Sequence, residues 1–337
     1  MENTKKNPIA KLFSKQETGI FIIFIALCVL IGILTPKFLK PQNIINILRQ
    51  ISNVGIMAVG EAMVIIISGI DLSVSSVLSL GACLLAVLSQ SMNPWIAMLL
   101  ALLLGSAVGL LNGALTVKIG IAPFIATLGT QMMCKGFAYI ITNGIPVKFP
   151  YPDSVGFLGG GTIPVGNITI PMSIIFMLLI YAIGIVLLSK TVFGRELYAV
   201  GDNEHSAKLS GINAGRIKVT AYVISGFLAA MAGILNAGNL TTATADAGDG
   251  IESNVIAAVV IGGVSMSGGE GSIVGILIGA AIMGVIKNSF ILLNFKANWQ
   301  TITIGFLILL ATGLDCITKQ VKASKAAIAV STETKAK

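Results

Sequence analysis

The chain is almost continuously apolar between its charged ends, and one long basic loop at residues 190–218 interrupts the apolar sequence. Of its 337 residues, 55% are hydrophobic and only 11% are charged, and the mean hydropathy is +0.92. A soluble domain needs more charged side chains to cover its surface. Apolar runs of about 20 residues recur, which is the helix length that crosses ~30 Å of hydrocarbon. The sequence therefore predicts an all-α integral membrane protein.

Hydropathy predicts about ten transmembrane helices within one transmembrane domain, residues 18–315. The approximate spans are residues 18–35, 50–69, 72–90, 95–117, 121–142, 172–189, 217–238, 253–266, 271–293 and 298–315. No small-residue cleavage site follows the first apolar run, so we expect a retained helix and not a signal peptide. Residues 1–17 and 316–337 are predicted basic segments at the two ends.

The net charge of +8 does not predict a nucleic-acid partner, because the positions of the basic residues instead indicate how the chain is oriented in the membrane. Lysines and arginines cluster before the first span, in the loop at 190–216 and at the carboxyl end. All three clusters fall on one side of a ten-span topology. By the positive-inside rule, this loop and both termini are cytoplasmic, and the loop at 143–171 lies outside. We expect a multi-pass protein embedded in the lipid bilayer of the plasma membrane.

Two predicted helix pairs are joined by junctions too short for a solvated loop, Ser68–Ser73 and Ser265–Ser272. Each junction precedes a helix rich in small residues, and the two segments align as a weak internal two-fold repeat. Paired, glycine-interrupted segments in two halves of a chain point to a transport pathway. Two small-residue hairpins in an ordinary bundle would produce the same pattern, so the repeat is a hypothesis. Glycines at 105, 109 and 113, and at 275 and 279, predict close helix packing.

The chain lacks the motifs of enzyme and nucleotide chemistry. It contains no P-loop, no His-Glu-x-x-His and no Gly-x-Ser-x-Gly nucleophile elbow. Its four cysteines show no metal-ligand spacing. The sequence therefore predicts no catalytic residue, no metal site and no cofactor in this chain, and any energy for transport must come from elsewhere.

Ionisable side chains inside membrane spans are costly and often functional. Asp71 stands at a helix start, where it is expected to cap free N–H groups. Glu61 lies mid-span and is a candidate for the pathway or for a buried partner of a lysine. Lys135 and Lys287 lie nearer the outer ends and are expected to snorkel to the interface. These groups are too few for a proton or sodium relay.

A neutral polar solute needs only amide, hydroxyl and backbone groups. The candidates for the translocation path or for the helix break are Glu61, Gly69, Asp71, Asn112, Thr127, Thr130, Asn288 and Gln300. In a helix bundle such polar residues more often make interhelical hydrogen bonds, which is the alternative for each of them.

Seven short motifs occur in order along the chain. They are Ser68–Ser73, Asn112-Gly113, Pro123–Thr130, Ser210–Ile212, Ile256–Gly263, Gly268–Ser272 and Trp299-Gln300. On these motifs, residues 20–315 resemble the membrane permease subunit of bacterial ATP-binding-cassette (ABC) importers for monosaccharides of the ribose, galactose and xylose type. The resemblance implies the ABC importer permease architecture in the bacterial inner membrane.

The resemblance also implies a loop that presses on the ATPase. The matching residues are Asn203, Glu204, His205, Ser206, Ala207, Lys208, Leu209, Ser210 and Gly211. We expect a short helix that ends at Gly211, because glycine permits a left-handed exit. His205 and Ser206 depart from the two alanines that the family more often has, which affects the docking surface in detail. The alternative is a solvated connector held to lipid headgroups by its basic residues.

The partners implied by the resemblance are ABC ATPase subunits, which use the ATP, and a periplasmic or lipid-anchored sugar-binding protein. The chain would form half of a permease homodimer or heterodimer. Two alternatives remain open: a permease of the same architecture for a nucleoside or a branched-chain amino acid, and an ion-coupled secondary carrier or channel.

Overall fold

The computed structural model describes residues 15–149, 154–166, 168–296, 298–313 and 315–317. Most of the two predicted basic end segments, 1–17 and 316–337, lies outside the described residues. The helices are α1 (Lys15–Leu34), α2 (Pro41–Ile66), α3 (Val74–Leu88), α4 (Pro94–Ala114), α5 (Pro123–Thr142), α6 (Val155–Gly160), α7 (Met172–Lys190), α8 (Val192–Asp202), α9 (Glu204–Leu209), α10 (Ala214–Leu240), α11 (Ile251–Ile261), α12 (Ile273–Leu292) and α13 (Asn298–Ile317).

Short strands lie on the side opposite the basic loop. Strand β1 (Val147–Lys148) pairs antiparallel with β4 (Thr242–Ala243), and β2 (Thr162–Val165) forms a hairpin with β3 (Ile168–Pro171). Within the described part of the 143–171 loop, the only helix is the six-residue α6. The described part of this segment is otherwise extended or turned, because its prolines and glycines prevent a long helix there.

Each predicted span corresponds to a helix, and the all-α membrane fold is confirmed. Among the described residues, seven helices are long and apolar enough to cross a membrane: α1, α4 with its π-helical extension Leu115–Ile119, α5, α7, α10, α12 and α13. The other three differ from these: α2 has 26 residues but includes the buried Glu61, whereas α3 has 15 residues and α11 only 11. Ten complete crossings thus stay a prediction.

Helix α10 lies at the centre and packs against α2, α3 and α4. The glycine stripe of α4 makes this contact: a Cβ at Gly109 would lie 2.1 Å from Tyr222 O of α10. A Cβ at Gly279 of α12 would likewise lie 2.1 Å from Ala258 O of α11. The predicted small-residue packing is confirmed, and both stripes serve contacts within the chain.

The two predicted junctions are helix breaks that touch each other. The first contains Ser68, at φ 61°, and the second contains Gly268 and Gly269, at φ 85° and 75°. The Gly269 N–H donates to Ile66 O at 2.9 Å, and Ser68 Oγ donates to Ser267 O at 2.9 Å. The breaks therefore form one shared junction on the face that carries α8 and α9, which we call the loop face.

Candidate transport site and coupling loop

Asp71 is fully buried between α2 and α3. Its Oδ1 accepts hydrogen bonds from Ser73 N at 3.1 Å and Ser73 Oγ at 2.5 Å, and its Oδ2 accepts one from Ser225 Oγ of α10 at 2.8 Å. The expected cap is realised only in part, since Ser73, the one backbone donor, directly precedes α3. The carboxylate mainly ties the break to α10.

Three further candidates extend this network. Asn112 of α4 donates through Nδ2 to Ser73 Oγ at 2.9 Å, and Thr130 of α5 donates to Asn112 Oδ1 at 2.7 Å. Thr127 Oγ1 lies 3.1 Å from Ile70 O in the break. All three candidates are buried. The break, α4, α5 and α10 are therefore joined by polar groups that satisfy one another.

Glu61 belongs to the same network. It is fully buried, and its Oε1 accepts the Asp71 N–H at 3.1 Å. No described lysine or arginine forms an ion pair with it, so the structure does not support the expected lysine partner. Glu61 Oε2 has no hydrogen-bond partner among the described residues. Glu61 does not face an open path in this structure.

Gly69 borders a pocket of about 380 Å³ on the loop face. The pocket lies between the first helix break, the turn before Pro123, Glu204 of α9 and Lys218 of α10. A Cβ at Gly69 would lie 2.6 Å from Tyr222 Oη, so a larger residue would have to displace the tyrosine side chain. The pocket thus brings the break and the basic loop to the same space.

The structure does not bring Asn288 and Gln300 to this network. Asn288 of α12 exchanges two hydrogen bonds with Asn43 of α2, at 3.0 and 2.9 Å. Gln300 lies half-buried on α13. The Asn43–Asn288 pair fastens α2 to α12, which is the interhelical role considered as the alternative.

The basic loop folds as two short helices, α8 and α9. Asn203 Oδ1 accepts the Ser206 N–H at 2.9 Å and so caps α9. At the other end Gly211 has φ 83°, its N–H donates to Lys208 O at 3.0 Å, and Ile212 N donates to Ala207 O at 3.1 Å. These two bonds form a Schellman motif. The predicted short helix with its glycine stop is present.

Helix α9 is held to α10 by charge. The Glu204 carboxylate contacts Lys208 Nζ at 2.8 Å and Lys218 Nζ of α10 at 2.5 Å. Hydrogen bonds from Lys208 and then Lys218 hold the pKa of Glu204 below its ordinary value. Ala207 is buried against the body, whereas Leu209 is 77% exposed. The helix thus presents one large apolar side chain outward from a fixed position.

The end of α8 rests directly on both helix breaks. A Cβ at Gly201 would lie 1.9 Å from Ile66 O of the first break and 2.7 Å from Gly269 N of the second. A Cβ at Gly268 would lie 2.8 Å from Gly201 O. We call this contact of Gly201, Ile66 and Gly268–Gly269 the backbone crossing. Helix α9 begins three residues after Gly201, so this backbone contact connects it to both breaks.

Comparison with known proteins identifies the architecture. The family described as "Branched-chain amino acid transport system / permease component" matches residues 43–312. The chain belongs to this permease family. It is accordingly a multi-pass membrane permease subunit with no catalytic role of its own.

Three relatives illustrate the similarity. The ribose import permease protein of Bacillus subtilis (strain 168) is 41% identical over 303 residues, 89% of this chain and 92% of that protein. The D-allose transport system permease protein of Escherichia coli (strain K12) is 34% identical over 317 residues, 93% and 96% of the two chains. The galactose/methyl galactoside import permease protein of the same strain is 33% identical over 318 residues, 90% and 94%. No solved structure matches the chain.

Sequence reasoning missed some polar contacts of this permease. Ser225, which binds Asp71, was not singled out because one serine in an apolar helix carries no signal. Lys135, expected to snorkel, forms an ion pair with Asp249 at 2.7 Å. The two residues are 114 positions apart, so only the fold shows their proximity.

Proposed function

We propose that this permease forms the membrane path for a monosaccharide in an ATP-driven importer. The observation that carries the proposal is the 41% identity to ribose import permeases over about nine-tenths of both chains. The family description names amino acids, but the relatives at 33–41% identity are named for ribose, allose and galactose. A sugar is therefore favoured over an amino acid or a nucleoside.

The proposed docking site for the ATPase subunits is Asn203–Gly211. Helix α9 is capped at both ends, is fixed to α10 through Glu204, and exposes Leu209. In the family that the chain resembles, this segment presses on the ATPase, and the exposed Leu209 is the large apolar side chain that α9 would offer to such a partner. ATP would be used by these partners, and this chain would hold no cofactor.

In the proposed topology, the loop face and both termini are cytoplasmic. The strands β1 to β4 then lie outside, where a periplasmic or lipid-anchored sugar-binding protein would deliver the substrate. The distribution of lysine and arginine supports this orientation. The permease would act as a dimer, most simply of two copies of this chain.

The proposed cycle is alternating access. Closure of the ATPases would move α9, and the backbone crossing at Gly201 would pass this movement to both helix breaks. Because the polar groups around Asp71 are mutually bonded, the four elements they join should move together as a unit. A neutral sugar released by the binding protein would then pass between the two copies.

The test is purification of the tagged chain from its native membrane in mild detergent, followed by identification of the co-purifying proteins and reconstitution. We expect a stoichiometric ATPase and ATP-dependent uptake of a labelled monosaccharide, with ribose, allose, galactose, a nucleoside and leucine compared side by side. Uptake that follows an ion gradient in the absence of any ATPase would contradict the proposal.

Two variants locate the docking site. Replacing Asn203–Gly211 with a neutral linker should release the ATPase, whereas replacing the outer hairpin tip at 165–168 should leave the ATPase bound. The milder Gly211→Val should keep the complex but uncouple uptake from ATP hydrolysis, because a β-branched residue is strained at φ 83°. Normal coupling in Gly211→Val would argue against α9 as the lever.

A further inference from the structure

The polar residues expected in the path around the first helix break face inward and bond into one network, and Asn288 pairs with Asn43, so the wall of the path must be elsewhere. We propose that Gln131 and Lys135 of α5, with Asp246 and Asp249 of the segment Thr244–Gly250, form the sugar-contacting wall of the translocation path. These four side chains are called the polar flank below. The inference rests on the proposed function and names the part of the chain that would meet the substrate.

The ion pair in the polar flank is exposed at the surface of the chain, and it lies below the outer end of α5, within the depth of the membrane. Lys135 Nζ lies 2.7 Å from Asp249 Oδ2, and the two side chains are 40% and 53% exposed. Lys135 is seven residues before the outer end of α5 at Thr142, or about 10 Å below it. Exposed charges at such a depth are costly against lipid and are found facing the bundle interior or a water-filled cavity.

The segment Thr244–Gly250 supports the same conclusion independently. It consists of turns between β4 and α11. The Gly248 N–H donates to Ser79 Oγ of α3 at 2.8 Å, and a Cβ at Gly248 would lie 1.9 Å from Ser75 O. Ser79 is nine residues, about 14 Å, below the outer end of α3.

Irregular backbone at this depth is tolerated only where it is buried in protein or lines a water-filled cavity. One side of Thr244–Gly250 is buried against α3, as the close approach of Gly248 shows. Asp246 and Asp249 are exposed on its other side. Water must therefore reach this side of the segment, next to α5.

The chemistry of the polar flank suits a neutral polyhydroxyl solute. Gln131 is held by a hydrogen bond from its Nε2 to Ser75 Oγ at 3.0 Å, four residues before Lys135. An amide, an ammonium group and two carboxylates offer both donors and acceptors to sugar hydroxyls. The charges of Lys135, Asp246 and Asp249 sum to −1, which disfavours a sugar phosphate. A free monosaccharide is the solute class that fits.

In a single copy of the chain, no second protein surface faces the polar flank within the part that the structure describes. Lipid chains cannot solvate the Lys135–Asp249 pair, so a second protein wall has to enclose the water. In the proposed dimer, the partner's equivalent flank would supply it. Each copy then contributes one ion pair to the path.

The first test measures water access to position 249. In full-length chain in native membranes, with Cys28, Cys83, Cys134 and Cys316 replaced by serine or alanine, Asp249→Cys is treated with a membrane-impermeant, charged thiol reagent. The matched control is Leu103→Cys on α4, which is 55% exposed and nine residues from its outer helix end. We expect labelling at 249 and none at 103. Equal resistance of both positions would overturn the proposal.

The second test measures transport by the reconstituted complex. Lys135→Met and Asp249→Asn should each lower uptake about tenfold, the effect of losing one charged hydrogen bond, while the ATPase still co-purifies. Lys287→Met, which removes an exposed lysine from α12, is the control and should transport normally. Normal uptake by both flank variants would overturn the proposal.

The two proposals fail in different ways. If the unsubstituted chain bound no ATPase, the proposed importer function would fail, whereas labelling at position 249 would still report the water-lined wall. In a Gln131→Cys variant of the same cysteine-free chain, which keeps all three charges of the flank, protection of the introduced thiol by the transported sugar, but not by its phosphate ester, would support the assigned solute class. Equal protection by both compounds would refute it.

Discussion

Gly201→Ala tests the backbone crossing directly. The added Cβ would lie 1.9 Å from Ile66 O, whereas Cβ atoms essentially never approach closer than 3.0 Å, so the backbones must separate by at least about 1.1 Å. Ile66 O cannot move freely, because it also accepts the Gly269 N–H at 2.9 Å. The substitution therefore strains the contact or breaks this hydrogen bond.

The magnitude of the Gly201→Ala effect follows from three terms. Overpacking costs about 1–3 kcal/mol. A weakened backbone hydrogen bond adds about 1 kcal/mol. Replacing glycine by alanine inside α8 stabilises the helix by up to about 1 kcal/mol and offsets part of this loss. We expect a net loss of about 2 kcal/mol, and an apparent Tm lower by about 4 °C in detergent.

Two other glycines provide matched controls for Gly201→Ala. Gly129 of α5 and Gly211 both have no atom within 4 Å of an added Cβ, but only Gly211 has a positive φ, 83°. Gly129→Ala should be neutral or stabilising by up to about 1 kcal/mol. Gly211→Ala should cost about 1 kcal/mol. The assay is thermal unfolding of the three purified variants. If Gly201→Ala were as stable as Gly129→Ala, the crossing would not be a close contact and could not transmit movement from α9.

Three more predictions follow from the polar contacts. Glu204→Gln should lower the free energy of unfolding by less than about 1 kcal/mol at neutral pH, because its ion pairs are partly exposed, and the Tm should fall slightly. Since the pKa of Glu204 is lowered, this stabilisation is present above its ordinary pKa of 4.5 and is lost as the pH falls through the lower folded value; a pH-independent difference in Tm would contradict the ion pairs. Asp71→Asn should cost about 1 kcal/mol, because the amide keeps an acceptor for Ser73 but Ser225 Oγ must reverse from donor to acceptor. Glu61→Gln keeps its acceptor for the Asp71 N–H and should cost less; the reverse order in thermal unfolding would refute the described network. Asn288→Leu should cost about 1–2 kcal/mol, and adding Asn43→Leu should recover part of this loss in a double-mutant cycle; strictly additive losses would show that the two amides do not interact.

The sequence predicted features that depend on local chemistry. Apolar run lengths located the helices, and the shortness of Ser68–Ser73 between two apolar runs marked the first break, whose positive φ lies at Ser68. Helix α9 was expected from the resemblance and its stop from Gly211, and the structure adds the cap by Asn203 at the other end.

The direction that each polar side chain faces was not predictable. Asp71 and Asn112 are polar residue types that could line a path. In the structure they bond to serines instead, Asp71 to Ser225 of α10 and Asn112 to Ser73. Lys135 looked like a snorkelling lysine until the fold placed Asp249 beside it. Both outcomes depend on contacts between residues more than a hundred positions apart, and one sequence carries no signal for such pairs.

The shortness of α3 and α11 has a consequence for permeation. With 15 and 11 residues, these helices measure about 22 and 16 Å, against ~30 Å of hydrocarbon. Neither helix can therefore cross the bilayer alone, and the irregular backbone at their ends, the two helix breaks and the turns at 244–250, has to lie within the depth of the membrane. Such backbone is tolerated there only against protein or water, so the short helices bring the chain's most adaptable segments inside the membrane and not to its surface.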